Sequence, residues 1–257
     1  MRVLVCIKRV PAPGARINVS ADGLAVDTAF LGFTTSPHEE CAVEAAVQLV
    51  EDHGGTATVL TVGPPDAEEQ LRYAASVGAA AAVLVPADGD VDPQRTAAAI
   101  VAAIGRLEGR DGPFDLVLFG NESADSCGFQ VGVRVAHAVG RPVVNGAKAL
   151  AVDGAVARVE RPSEAGLDRY ALPLPAVVGV KEGINLPRYP TLKGRLASKK
   201  LTVETLDVLD AAPAGGLTTQ RLRPPAEQGG SSTVILGHGP DAAPAVVDLL
   251  GKLGVLG

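Results

Sequence analysis

The 257-residue sequence contains no tryptophan, and aromatic residues make up only 3% of it. Proteins that stack nucleic-acid bases on aromatic platforms carry more ring surface than this. Positive charge is short as well: 23 Lys and Arg stand against 29 Asp and Glu, a formal net charge of −6. No basic patch is large enough for a whole domain to grip a phosphate backbone, so nucleic acid is not an expected partner. The three cysteines (Cys6, Cys41 and Cys127) and the four histidines lie scattered, without CxxC or HxxxH spacing. That spacing argues against a disulfide framework and a structural zinc site, and no metal site is expected. Long apolar runs are missing too. The longest, from Val77 to Ala87, contains Gly78 and Pro86 and stops at Asp88, short of a membrane span. The apolar start up to Lys8 is too short for a secretion signal. A soluble, cytoplasmic protein without membrane insertion is the expectation.

Several catalytic signatures are also absent. There is no GxxxxGK[ST] loop, no GxGxxG after the first apolar run and no GxSxG nucleophile elbow. The Ser-Gly-Gly-x-Asp-Ser phosphate loop is missing after that run too. No catalytic residue is expected.

What is present is a regular alternation. Val3–Ile7 reads as a buried strand bounded by Lys8-Arg9 and a Pro/Gly cluster. Ser36-Pro-His-Glu-Glu40 opens a helix, with Ser36 as N-cap, Pro37 at the first helical position and acids in the first turn. Strands follow at Thr58–Val62, Ala82–Val85 and Phe114–Phe119, with helices at Asp66–Val77 and Asp92–Leu107 between them. Strand and helix in strict succession predict an α/β fold with a parallel sheet covered on both faces. From Ala147 the pattern changes. Ala149–Val152 and Ala155–Val159 flank Asp153-Gly154 as a hairpin, and Ala176–Val180 reads as a last buried strand. Beyond Lys181 regular alternation is lost. Pro/Gly-rich stretches at 187–194, 212–216 and 224–230 predict an extended arm that needs a partner, ending in a short helix near Ala242–Leu253. The expected division is therefore an α/β domain over 1–181 and a C-terminal arm over 182–257.

In an open parallel sheet, ligands bind beyond the carboxyl ends of the strands. Those ends carry Cys6–Arg9, Thr61–Pro65 and Phe119–Asp125. The most informative is Gly120-Asn-Glu-Ser-Ala-Asp-Ser-Cys-Gly-Phe-Gln-Val-Gly132, which runs from a strand into a helix. Small side chains at a helix N-terminus leave N–H groups bare for a phosphate. The same residues also suit an ordinary loop in which Asp125 or Ser126 caps the next helix. Cys6 and Cys41 read as core thiols, whereas Cys127, inside the loop, is open to a reactive role.

The residues now quoted resemble the β subunit of electron-transfer flavoproteins. The similarity lies in Arg2-Val-Leu-Val-Cys-Ile-Lys-Arg-Val10, the Glu40-x-x-Val-Glu-x-Ala46 helix, Thr58-Val-Leu-Thr-Val-Gly-Pro64 and Gly120-Asn-Glu-Ser-x-Asp125. It continues through Leu174-Pro-Ala-Val-Val178, Asn185-x-Pro-Arg-Tyr-Pro-x-Leu-Lys-Gly194 and Ala197-Ser-Lys-Lys200, in order over nearly the whole chain. The resemblance implies a heterodimer. An α subunit would hold most of the site for a redox FAD, and this chain would hold a structural AMP in a Rossmann-like nucleotide-binding domain over 1–181. Residues 182–257 would supply a recognition loop and the C-terminal arm that wraps the α subunit. Carried over by position, the AMP pocket would comprise Cys6, Ser36, Pro37, His38, Glu39 and Val62. It would continue through Gly120, Asn121, Glu122, Ser123, Asp125, Cys127, Gly128, Phe129, Gln130 and Val131, with backbone amides of Gly128 to Val131 as phosphate donors. Leu192 would anchor in an acyl-CoA dehydrogenase or similar flavin dehydrogenase, ringed by Arg188, Lys193 and Arg195.

The sequence departs from the family pattern at Ser36-Pro-His-Glu-Glu40, where Asn usually leads the turn. It departs again at Pro162, where an acidic residue usually follows the preceding Arg and steadies the flavin domain, and at Pro13, where an aromatic is usual. These changes suggest a divergent member with its own dehydrogenase. Bifurcating members hold a second FAD in place of AMP, and their Asp-Gly-Asp-Thr loop is Asp125-Ser-Cys-Gly128 here. A stand-alone, stress-protein-like nucleotide binder is the reading that needs no flavoprotein partner. Charge favours a protein partner: residues 183–203 hold five basic side chains and no acidic one, on a body otherwise strongly acidic.

Overall fold

The N-terminal apolar run forms β1 (Arg2–Cys6), in a computed structural model that describes residues 1–88, 91–209, 216–224 and 233–256. Four two-residue strands follow, in a stretch that shows no alternation in the sequence: β2 (Val10–Pro11), β3 (Asn18–Val19), β4 (Val26–Asp27) and β5 (Phe33–Thr34). They close as two small antiparallel pairs, β2 with β5 and β3 with β4. Helix α1 (Pro37–His53) starts as expected. Ser36 N–H and Oγ–H both donate to Glu39 Oε2, at 3.0 and 2.8 Å, so the third helical residue reaches back over the cap. Then come β6 (Thr56–Gly63), α2 (Glu68–Val77), β7 (Ala81–Pro86), α3 (Pro93–Asp111), β8 (Leu116–Gly120) and α4 (Val131–Ala138). The helix expected from Asp66 begins instead as a 3-10 turn over Pro65–Ala67.

The hairpin expected after Ala147 is larger. β9 (Val143–Ala147) precedes β10 (Ala149–Asp153), β11 (Val156–Ser163) and β12 (Gly166–Pro173). β10, β11 and β12 make a three-stranded antiparallel sheet, with Pro162 opposite Leu167. β13 (Ala176–Val180) then returns to the main sheet. Beyond Lys181 the chain still builds regular structure: α5 (Leu192–Lys200) and β14 (Val203–Thr205), which pairs with β7. Residues 182–209 thus add an edge strand and a helix to the sheet domain.

Seven strands pair in the order β14-β7-β6-β1-β8-β13-β9, every pairing parallel. A strand buried on both faces needs apolar residues at every position, which explains the unbroken run in β1. Val3 and Val5 pack against α1 and α2, while Leu4 and Cys6 pack toward α3 and α4.

The chain divides into two compact units, Met1–Arg221 and Leu222–Gly257. Taken by itself, the second holds α6 (Ala243–Lys252), close to the helix expected at Ala242–Leu253. The Pro/Gly-rich stretches at 212–216 and 224–230 lie, except for Gly216 and Pro224, outside the described residues. Among the described residues no helix is long and apolar enough to cross a membrane, and no cluster of three or more metal-binding side chains occurs.

Candidate functional site

The strand order reverses beside β1: the chain steps outward to β6 and β7 on one side, and to β8 and β13 on the other. Loops leaving neighbouring strands at such a point part company and open a crevice. Here the crevice encloses a cavity of about 180 Å3. On the strand side it is lined by Cys6, Leu60 and Val62, with Lys8 and Arg9 leaving β1 beside them. The opposite wall is the β8–α4 loop: Gly120, Asn121, Glu122 and Ser123, then Gly128 to Gly132.

Glycine is required at position 120. A Cβ there would lie 2.6 Å from Glu39 Cγ and 3.2 Å from His38 Cβ, so its absence lets the start of α1 press against the end of β8. Cys127 and Phe129 adopt positive φ, +47° and +53°, uncommon for residues with a Cβ. Gln130 follows with φ −116° and ψ −22°. A left-handed residue followed by a right-handed one turns successive N–H groups toward one point, the geometry of an anion nest. Gln130 gives α4 no side-chain cap, so the first amides of α4 are left for another acceptor. This concavity belongs to the segment that the sequence singled out for phosphate.

Glu39 is buried at the cavity wall. Burial pushes its carboxyl up to about 7, against the opposing bonds from Ser36 and the nearby Lys8. Burial, with the Glu39 charge beside it, also pushes the Cys6 thiol well above its ordinary value, so Cys6 is an inert wall residue. Lys8 crosses the cleft to Asp125, its Nζ 2.6 Å from Oδ2. Burial raises the Asp125 carboxyl, but Lys8, with help from Ser123 and the Ser126 amide, outweighs this and holds it below the usual range. Arg9 stacks its guanidinium over the Phe33 ring at 3.3 Å, and its Nε is buried without a hydrogen-bond partner among the described residues. A polar atom left over at the cavity fits a site built for an oxygen-rich ligand.

Five residues expected in the pocket stand behind its wall. Ser36 and Pro37 form the start of α1, and His38 bridges Glu122 to the backbone of Glu182, at 3.0 and 2.7 Å. Asp125 and Cys127 shape the loop from outside, and the Cys127 side is exposed. Sequence reasoning missed Pro93 and Thr96 of α3 and Asn145 of β9, which also line the cavity. The Asp92-Pro93 helix start was the available signal for α3, because a helix following a parallel strand begins at the carboxyl edge of the sheet.

The segment expected as an exposed recognition loop is partly helical. Thr191 caps α5 by accepting from Gly194 N–H at 3.0 Å, and Leu192 is its exposed first residue. Lys193 and Arg195 are exposed beside it, as is Tyr189 of the Asn185–Gly194 motif, with Leu186 and Leu196 as further exposed apolar side chains that the sequence reading did not name. Arg188 differs. Its guanidinium is bound within the chain, to Glu44 at 2.9 Å and Glu51 at 2.7 Å, both on α1.

A model of the electron transfer flavoprotein domain matches residues 24–211. The chain is 32% identical over 257 residues to electron transfer flavoprotein subunit beta of Bacillus subtilis (strain 168), covering 97% of each protein. It is 33% identical over 253 residues to the subunit beta of Mycobacterium tuberculosis (strain ATCC 25618 / H37Rv), covering 92% of this chain and 94% of the relative. Against the mitochondrial subunit beta of Oryza sativa subsp. japonica it is 33% identical over 214 residues, covering 81% and 84%. Similarity of this extent makes the chain a member of the electron transfer flavoprotein β-subunit family.

Proposed function

We propose that the chain is the β subunit of a heterodimeric electron-transfer flavoprotein that accepts electrons from a flavin dehydrogenase, of the acyl-CoA dehydrogenase kind, and passes them on. It is a carrier subunit and makes or breaks no substrate bond. The redox FAD, held mainly by the α subunit, supplies the electron chemistry. A structural AMP occupies the cleft of this chain. The observation that carries the reading is the uncapped start of α4 behind the left-handed Phe129, at the switch point of a parallel sheet in a member of this family. The phosphate would accept from the amides of Gly128 to Val131, and the adenine would lie against Cys6 and Val62. Phe129, among the cavity-lining residues, adds bulk to the loop against which bifurcating relatives hold a second FAD, and that bulk favours the mononucleotide.

The C-terminal arm supports an obligate partner. Val246, Val247, Leu249 and Leu253 of the second unit are exposed, an apolar face suited to burial on an α subunit. Leu192, presented by α5 beside Lys193 and Arg195, suits an apolar pocket with an acidic rim on a dehydrogenase.

Mass spectrometry of nucleotides released from the chain co-purified with its α subunit tests this directly. One AMP and one FAD per heterodimer is the expected result, with flavin absorbance appearing only on co-expression. Two FAD would replace AMP by the bifurcating arrangement. A stable yellow protein from this chain alone, or a homodimer that binds ATP without a partner, would overturn the carrier reading.

A further inference from the structure

The stretch from Leu186 to Leu196 presents an unusual amount of apolar surface to solvent. Leu186 and Tyr189 are each 89% exposed, Leu192 75% and Leu196 55%. A segment that turns its apolar side chains outward cannot be held in shape by burying them, so polar contacts must do so. Arg188 lies in the middle of this stretch, and every nitrogen of its guanidinium is engaged. Nε donates to both Glu44 oxygens at 2.9 and 3.2 Å, and Nη2 to Glu44 Oε1 at 3.0 Å. Nη1 and Nη2 donate to the two oxygens of Glu51, at 2.7 and 2.8 Å. The Arg188 backbone N–H adds a bond to Glu44 at 3.2 Å.

The carboxylates come from one face of α1, seven residues apart, and Glu44 is almost fully buried. Asn185 continues the line by donating Nδ2–H to the Cys41 carbonyl at 3.0 Å. At the far end of the segment, Arg72 of α2 donates to the carbonyls of Ser198 and Leu201, at 2.7 and 3.0 Å. Gly194 allows close approach there, since a Cβ would run into the Ser76 carbonyl. The docking segment is therefore tied down at both ends while its apolar side chains stay free.

We propose that Arg188 is the positioning residue of this segment: gripped by Glu44 and Glu51, it holds the segment in its docking shape and is not itself a charge offered to the dehydrogenase. The assignment rests on the reading of Leu192 and its neighbours as the dehydrogenase-docking surface. The physical reason is preorganisation. A segment already ordered loses less conformational freedom when it docks. Only a planar, five-donor guanidinium can bridge two carboxylates in this way, and an ammonium cannot.

The test uses the full chain in complex with its α subunit, reduced by a medium-chain acyl-CoA dehydrogenase with octanoyl-CoA as electron source. The two roles of Arg188 predict opposite signs for Glu51→Gln. If Arg188 positions the segment, weakening one of its two carboxylate partners raises the KM for the flavoprotein about threefold to tenfold, leaves kcat unchanged and speeds amide exchange over residues 185–192. If Arg188 were a docking charge, releasing it from Glu51 would leave KM unchanged or lower it. Arg188→Lys, which keeps the charge and loses the fork, is expected to raise KM to the same extent, and wild-type behaviour of this variant would overturn the assignment. Both variants leave Glu44 facing a cation, which avoids the unfolding that a neutral side chain at 188 invites. Leu192→Ala runs in parallel. A raised KM for Leu192→Ala with none for Glu51→Gln removes only the positioning role. An unchanged KM for Leu192→Ala overturns the docking reading and this assignment with it, even where exchange shows the segment loosened.

Discussion

The backbone N–H of Glu182 donates to Nδ1 of His38 at 2.7 Å, and this one bond orients the whole imidazole. With Nδ1 an acceptor, the ring proton of neutral His38 sits on Nε2, where it donates to Glu122 Oε1 at 3.0 Å. His38 thereby ties the chain leaving β13 to a residue of the cavity wall. Nitrogen-15 NMR of labelled histidine at pH 8 is expected to show Nδ1 unprotonated and Nε2 protonated. The reverse tautomer would mean that the Glu182 bond does not form.

Replacing Gly120 by alanine forces a methyl group against Glu39 Cγ and His38 Cβ, in a place where both neighbours are held by hydrogen bonds. Overpacking of this kind costs about 1–3 kcal/mol. For a domain of this size, that lowers the melting temperature by about 2–12 °C. Differential scanning calorimetry of Gly120→Ala checks it, and an unchanged melting temperature would mean that the start of α1 can retreat from β8.

Glu39 makes stability depend on pH with a definite sign. Its folded value, about 7, lies above the ordinary value of 4.5, so the folded chain keeps a proton that the unfolded chain has lost. Its contribution is complete below 4.5, declines as pH rises toward 7, and is gone above it, a change on the order of 3 kcal/mol. Glu39→Gln keeps an oxygen for the two Ser36 bonds and cannot ionise. Urea titrations between pH 4.5 and 7.5 are expected to show this decline in the wild-type chain and a shallower one in the variant.

The Lys8–Asp125 pair links the end of β1 to the β8–α4 loop across the cleft. Asp125 is held below its ordinary value of 3.8, so its contribution is present above that value and is lost only as pH falls through the lower folded value. Across the neutral range the pair is at full strength. Asp125→Asn at pH 7 should loosen residues 123–130 and weaken AMP binding about tenfold, or about 1.4 kcal/mol, by titration calorimetry. Tighter binding would show instead that Lys8, once released, turns to the phosphate.

The sequence alone determined the class of fold and the most informative loop. The unbroken apolar run of β1 required burial on two faces, Ser36-Pro37 marked the start of α1, and glycines and small polar residues at 120–132 marked bare amides at a strand end. These are effects between neighbours along the chain, which local propensity and spacing record. Where local signals were weak, elements escaped. β9 is interrupted by Asn145-Gly146, β12 alternates around charged residues, and α5 carries a glycine mid-helix. β9 and α5 form because something distant receives them, β13 beside β9 and α2 beneath Gly194, whereas β12 forms by pairing with its hairpin neighbour β11.

Only the tertiary structure decided where the strand order reverses, and hence that Cys6, Phe129 and Thr96 share one cavity. It likewise decided that Arg188 meets Glu44, 144 positions away, and so changed its reading from a free basic charge to a committed one. No spacing rule reaches that far, because which two surfaces meet depends on how the sheet is ordered and on which carboxylate, once buried, has to find a cation.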